Sequence, residues 1–435
     1  MWVFRDIGRG VMTTAEVFAS PIVPAGTVRF LGHEGAYWRL RIKGAALVVA
    51  TLGIYRFWLA TDVRRFLWSN TEISGDTLEY NGLATELLVG FLFAVAILVP
   101  LYMIFALVVL ELDMVAIKPV LIGFALLALL GEYALYRARR YRLTRTVFRG
   151  LRFDQHGSPW RYALYALVCW GIVIVTLGLA YPWTSAFIER FKMRNTSYGD
   201  LHGRFEGSGL SLFLRGLPMW LVVVGVPIMA IVAMARLIDW EMLGNALALS
   251  QGDSEFMNTL IKNNPQIGKA IGLIFGAFFA SITVAIVLYP VFQAVKLRWW
   301  ISGLRFGEIA VTSRLRIRQV YRVYLRLLLY LFLLGLLAGI MGGLTVFAVL
   351  GTVRLLHNAT VTQVVGGAIG LLLYVVFMIG SSTIYQVIVA AGLWRLGAET
   401  AALTGEAALD GVRATGSPSS ALGEGLADAL GVGSI

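Results

Sequence analysis

The sequence predicts an all-α polytopic membrane protein built from degenerate internal repeats, and three observations carry that reading. Hydrophobic residues make up 58% of the 435 and charged residues 14%, with a mean hydropathy of +0.76, well outside ordinary soluble domains. Uncharged apolar runs recur along the chain, and the longest match the length of a bilayer span. Finally, one stretch occurs more than once, and such self-similarity orders everything else.

The stretch is TLGLAYPWTSAFIERFKMRNTSYGDLHGRFEG, Thr176 to Gly207, and it aligns with TLGIYRFWLATDVRRFLWSNTEISGDTLEYNG, Thr51 to Gly82. Trp58 matches Trp183, Arg65 matches Arg190, Asn70-Thr71 match Asn195-Thr196, and Gly75-Asp76 match Gly199-Asp200. The back half recurs in RRYRLTRTVFRGLRF, where Arg140 to Gly150 keeps the first spacing, and in LRWWISGLRFGE, where either Gly303 or Gly307 is the equivalent glycine. In each copy an apolar segment breaks at Thr-Leu-Gly or Tyr-Pro. A basic segment follows, and residues then alternate apolar and polar, as Leu201, Gly203 and Phe205 do with His202, Arg204 and Glu206, which is the period of a strand. The unit reads as membrane segment, basic surface helix and short strand.

On TLGxxxPW, the Arg-x4-Asn-Thr spacing and the following Gly-x-x-Phe elements, residues 28 to 396 resemble the YjgN-like family of bacterial inner-membrane proteins, which is named for a domain of unknown function. The first copy departs from that pattern, with Arg56-Phe57-Trp58 in place of Tyr-Pro-Trp. The resemblance implies an architecture and a compartment, with no biochemistry attached.

In chain order, residues 1–27 form a loosely ordered leader without the continuous apolar core of a signal peptide. Segment 28–137 is the first repeat with a membrane hairpin, 138–296 the second, 297–396 a degenerate third with a Gly-rich helix pair, and 397–435 a disordered tail. Apolar segments are expected at 44–60, 87–110, 119–136, 162–188, 217–235, 270–295, 327–353 and 364–394. Residues 137–161 carry eight arginines against Asp154, and 296–326 carry eight basic residues against Glu308. Both must lie in the cytoplasm by the positive-inside rule. The acidic loop 237–270 belongs outside. Eight successive crossings from a cytoplasmic start put 137–161 on the wrong side. Letting 44–60 and 162–188 enter and leave on one side repairs every loop. The expectation is therefore six spanning helices plus two re-entrant or interfacial hairpins, both termini cytoplasmic, with a small cytoplasmic sheet; the alternative is eight spans.

Several residues invite function, each beside a plainer reading. Glu132, within LLGEYALY, is an acid inside an apolar run, hence a candidate proton or pore site, although Arg137 is near enough to pair with it. Thr176, Tyr181, Pro182 and Trp183 mark a broken segment that could line a path. Arg65, Arg140, Arg190 and Arg298, with Trp58, sit where helices meet the cytoplasmic surface. They fit interface anchoring or a grip on anionic headgroups. Gly268, Gly272 and Gly276, and Gly335, Gly339 and Gly343, repeat every four residues, as Gly366 and Gly370 do, the spacing of close helix packing.

The net charge of +12 is clustered beside apolar runs, which indicates anionic membrane lipid as partner and no nucleic acid. One cysteine, Cys169, makes no disulfide framework, and the four histidines lack ligand spacing, so neither metal nor cofactor is implied. No phosphate loop, HExxH or GxSxG motif occurs, so no enzyme is expected. Two functions remain: a transporter or channel-like protein with its site at the interrupted segments, and a membrane-organising, lipid-interacting scaffold through which nothing crosses. Homo-oligomerisation stays open.

Overall fold

The computed structural model describes residues 27–111, 117–238, 262–356 and 359–413, together with 240, 241, 244, 259, 429 and 430. Its organising element is a sheet. Four β-hairpins turn through two-residue loops: β2 (Thr71–Ile73) to β3 (Asp76–Thr77), β5 (Thr146–Phe148) to β6 (Leu151–Gln155), β7 (Thr196–Tyr198) to β8 (Leu201–Phe205), and β9 (Leu304–Phe306) to β10 (Ile309–Ser313). The repeated glycine explains the turns. Ser74-Gly75 and Arg149-Gly150 hold both loop residues at positive φ, while Gly199 and Gly307 hold one, conformations in which a side chain is costly. Gly307, not Gly303, is thus the equivalent of Gly199.

Strands β11 (Ala401–Thr404) through β4 (Glu79–Tyr80) form an eight-stranded antiparallel meander, and β1 (Val28–Phe30), β2 and β3 form a second sheet. The two join at both ends. β3 and β4 are consecutive halves of one stretch, Asp76 to Tyr80, pairing on either side, and Thr27 bridges Ala402. The result is a ring of short strands, joined by chain continuity between β3 and β4 at one seam and by the single Thr27–Ala402 bridge at the other.

Helices leave the ring and return to it five times among the described residues. The pairs are α1 (Glu34–Ala50) with α2 (Arg56–Ser69), α3 (Ala84–Glu111) with α4 (Ile117–Thr144), α5 (Pro159–Val175) with α6 (Tyr181–Arg194), α7–α8 (Gly209–Trp220, Val226–Leu237) with α9 (Pro265–Gly303), and α10 (Ile317–Leu356) with α11–α12 (Ala359–Tyr385, Ala391–Thr400). Single π-helical turns, Leu221–Gly225 and Gln386–Ala390, join the split helices. At the first of these, Pro227 offers no N–H to the carbonyl one turn back. Six of these helical lengths are long and apolar enough to cross a membrane.

The two Thr-Leu-Gly copies fold alike, and the chain reverses at each. Leu52 and Leu177 have φ of 49° and 50°, and Gly53 and Gly178 have φ of 94° and 89°. Thr51 donates its hydroxyl to Leu47 O and accepts from Tyr55 N; Thr176 does the same with Ile172 O and Ala180 N. α1 therefore doubles back on α2, and α5 on α6, with both feet of each pair on the ring.

The ring interior is a packed core. Trp68, Leu78, Tyr80, Phe148 and Tyr198 are buried in one cluster with Ile73, Phe153, Leu201, Phe306, Trp394, Leu409 and Val412. Members from β2 to β9 meet there, as in small barrels whose interior side chains fill. Residues 405–413 cross the turn side of the ring. Glu406 accepts from the Ser74 hydroxyl, Asp410 pairs with Arg149 at 2.9 Å, and Asp200 accepts from Arg413 N.

Two expectations change. The chain is mostly helical but not all-α, because the sheet is far larger than the small one expected. The basic segment after each Thr-Leu-Gly is the returning arm of a helical pair. Residues 397–413, expected as disordered tail, instead supply the end of α12, β11 and the ring crossing. The leader (apart from Thr27), most of loop 237–270 and most of the tail beyond 413 lie outside the described residues. Gly272, Gly276, Gly335, Gly339 and Gly343 face open space, where an added Cβ meets no atom within 4 Å. Close approach occurs at Gly366 against Val349, as expected, and also at Gly123 against Phe105 and Gly380 against Leu334.

Candidate functional site

The polar cleft of this protein lies between α4, the α5–α6 pair and α9. Small residues put the helices there: Ala134 and Ala138 on α4, and Ala163 and Ala166 on α5, are all buried, and side chains of this size let helix backbones approach. Ser158 caps α5, accepting from Arg161 N with Pro159 in the first turn, which fixes the helix start on the ring. Tyr136, Tyr162 and Phe191 pack ring against ring at the foot of the cleft.

Glu132, Tyr162, Cys169, Trp170, Tyr181, Thr184, Ser185, Glu189, Lys296, Trp299 and Trp300 are among its lining residues, around about 290 Å³. Trp170 donates Nε1–H to Glu132 Oε1 at 2.9 Å. Glu189 accepts from Lys192 Nζ and, at 3.0 Å, from Trp300 Nε1–H. Lys296 Nζ stands 5.4 Å above the Tyr181 ring. The cleft therefore holds one carboxylate with a single indole partner, a second already paired, and an ammonium across from them, in aromatic walls.

A second, apolar cavity of about 440 Å³ continues from it. It is bounded by the Gly178 turn, Tyr181, Pro182, Phe213, Trp220 and the π-turn residues Val223 and Val224, with α9 opposite. Val173 and Tyr181 line both spaces, so the two form one groove, charged at the ring end and apolar at the turn end. Trp220 Nε1–H donates to Leu177 O at 2.7 Å and ties the strained turn to α7. Helical irregularities of the π type concentrate at functional sites.

A family model described as a bacterial protein of unknown function (DUF898) matches residues 25–429. The chain belongs to this family. No curated protein and no solved structure gives a match. Membership extends over the ring, the five helical pairs and the groove of this family member, and it agrees with the YjgN-like resemblance of the repeat.

Of the residues singled out in the sequence, Glu132 and Tyr181 meet in the polar cleft and Pro182 lies in the apolar cavity. Thr176 holds the turn through its hydroxyl. Trp183 is exposed and packs on Phe213 at 4.6 Å. The arginines divide. Arg65 donates to Gly82 O and Arg190 to Gly207 O, both at 3.1 Å, so each pins the start of the next helix to its own arm. Arg298 is exposed, Arg140 has a buried Nε without a hydrogen-bond partner among the described residues, and Trp58 stacks on Tyr55 at 6.2 Å. Sequence reasoning missed Glu189 and Lys296, which sit among basic residues, and Trp170, which lies inside an apolar run, and it read Trp300 as an interface ring. Among the described residues, no group of three or more His, Cys, Asp or Glu could hold a metal ion.

Proposed function

We propose that this is a non-enzymatic protein of the bacterial cytoplasmic membrane that admits an amphiphile with an ammonium-bearing headgroup and acts as its transporter. The observation that carries the reading is the continuous groove, with Glu132 at one end and an apolar wall at the other, meeting at Tyr181. Glu132 supplies charge to an ammonium, the tryptophan and tyrosine faces supply cation–π attraction, and the apolar cavity takes a hydrocarbon chain. Lys296 suits an anionic group on the same headgroup. The filled ring argues against an aqueous channel through its centre.

In this reading the ring is cytoplasmic, because the basic helix ends gather on it. The α1–α2 and α5–α6 pairs are re-entrant, since helices of 17 and 14 residues reach about 25 and 21 Å at ~1.5 Å per residue, short of a ~30 Å hydrocarbon core. With the other six lengths spanning, every pair starts and ends on one side.

The test is saturable binding of a fluorescent alkylammonium to protein in nanodiscs, followed by its movement across reconstituted vesicles. Glu132→Gln is expected to weaken binding at least tenfold while leaving the purified yield unchanged. Absence of saturable binding, or equal affinity in Glu132→Gln, overturns the assignment. The packed ring interior favours a second reading, a lipid-interacting scaffold, and saturable binding without movement across the vesicle supports that one.

A further inference from the structure

A different cavity, independent of the amphiphile groove, lies at the seam where the first helical pair packs against the last. It encloses about 500 Å³ between α1, α10 and α12, and Gly32, His33, Glu34, Tyr37, Arg322, Arg326 and Arg395 are among its lining residues. We propose that this seam cavity binds a phosphate-bearing anion, with Arg322, Arg326, Arg395 and the Tyr37 hydroxyl as its donors.

Four observations converge. First, the charge is unevenly answered. Glu34 takes Arg326 Nη2 at 3.4 Å and Glu399 takes Arg395 Nε at 2.6 Å, while Arg322 has no described partner. Each guanidinium carries five N–H donors in a planar fork suited to phosphate, so most of the donors on all three stay free. Second, Tyr37 is 2% exposed and its hydroxyl has no hydrogen-bond partner among the described residues. A buried hydroxyl without a partner is costly, and an acceptor oxygen in the cavity it lines relieves that cost. Third, α1 begins here with no side-chain cap, leaving first-turn N–H groups for an anion. Fourth, Val387 and Ile388 of the second π turn form the apolar wall beside the arginines. The two π turns of the described chain thus lie one at each cavity.

The position fits a lipid phosphate. Basic residues Arg314 to Arg326 precede the apolar run of α10, and Arg395 follows that of α11–α12, so the guanidiniums stand where hydrocarbon gives way to headgroups. A soluble phosphate ester offers the same chemistry, and the experiment separates the two sources.

Native mass spectrometry of detergent-purified full-length protein, titrated with phosphatidylglycerol or phosphatidylcholine, reads the site directly. The expected result is at least fivefold greater retention of phosphatidylglycerol, abolished in Arg322→Gln and in Tyr37→Phe and kept in Arg318→Gln, which lies on the same helix outside the cavity. Stabilisation against heat by millimolar inorganic phosphate, lost in the same two variants and without any lipid preference, assigns the cavity to a soluble phosphate ester. Equal retention of the two lipids with no effect of inorganic phosphate overturns the proposal. So does a preference that survives in both Arg322→Gln and Tyr37→Phe. Tyr37→Phe removes a single oxygen and keeps the test decisive if Arg322→Gln fails to fold.

Discussion

Trp394 donates its indole N–H to the Thr71 hydroxyl oxygen at 3.0 Å, joining positions 323 residues apart. The threonines that open the second and third hairpins accept such a bond from the unit before them: Thr146 from Trp68 Nε1 at 2.9 Å and Thr196 from Arg139 Nη1 at 3.0 Å. The last helix thereby stands toward the first hairpin as the first unit stands toward the second and the second toward the third.

Replacing Trp394 separates the bond from the packing. Trp394→Phe keeps a ring near Trp68, whose centroid lies at 4.8 Å, and is expected to cost about 1 kcal/mol, the net worth of one hydrogen bond. Trp394→Ala also empties part of the ring core and is expected to cost ~3–5 kcal/mol. Thermal unfolding in detergent measures both, and equal shifts for the two would show that the indole packing carries no weight.

Gly203 and Gly171 predict opposite outcomes for the same change. A Cβ on Gly203 would lie 2.7 Å from Met193 O and 2.9 Å from Thr196 O, backbone atoms that cannot step aside, so Gly203→Ala should abolish the folded species. Gly171 on α5 faces open space, and Gly171→Ala should be neutral or stabilise by up to ~1 kcal/mol. Size-exclusion profiles of the two variants decide the matter; a monodisperse Gly203→Ala peak would refute the ring geometry at β8.

Arg149 fastens the 405–413 crossing. It pairs with Asp76 at 2.7 Å and Asp410 at 2.9 Å, and although burial pulls the guanidinium down, these two carboxylates outweigh it and hold its pKa above the ordinary arginine value. A folded pKa raised above the unfolded one stabilises at every pH below the unfolded value and is lost only as pH rises through the folded one. The arginine side of this contribution is therefore flat through neutrality and fails only in strong alkali. Arg149→Gln should speed limited proteolysis between Thr404 and Arg413 several-fold. High salt should narrow the difference, since exposed pairs are screened. Unchanged cleavage would mean that the crossing is held by Leu409 and Val412 with the Ser74–Glu406 and Arg413–Asp200 hydrogen bonds.

The sidedness of the ring is open to labelling. In a Cys169→Ser background, single cysteines at exposed Arg152 and Asp200 should react only with reagents given cytoplasmic access, and one at Ser254 only from outside. External labelling of Arg152→Cys or Asp200→Cys would remove the topology on which the transport reading stands.

Much of this architecture could be read from the chain. The glycine spacing marked three of the four hairpin turns and left the fourth between Gly303 and Gly307, and the Thr-Leu-Gly copies located both reversals, because positive φ at Gly53 and Gly178 leaves a mark in composition. Closure of the ring left none. Its strands are two to five residues long, too short for an alternation to stand out, and the Thr27 to Ala402 bridge depends on tertiary placement. The glycine ladders were legible as spacing but silent about what faces them. In the same way Glu189 and Lys296 carry no local sign that α6 and α9 bring them to Glu132.

The helical pairs around the ring differ in reach. Pairs of 17 and 14 residues at α1–α2 and α5–α6 stand beside helices of 28 to 40 residues, that is roughly 25 Å beside 40–60 Å. Measured from the ring, the outline is thus a crown with two notches, whose floors are the Leu52 and Leu177 turns.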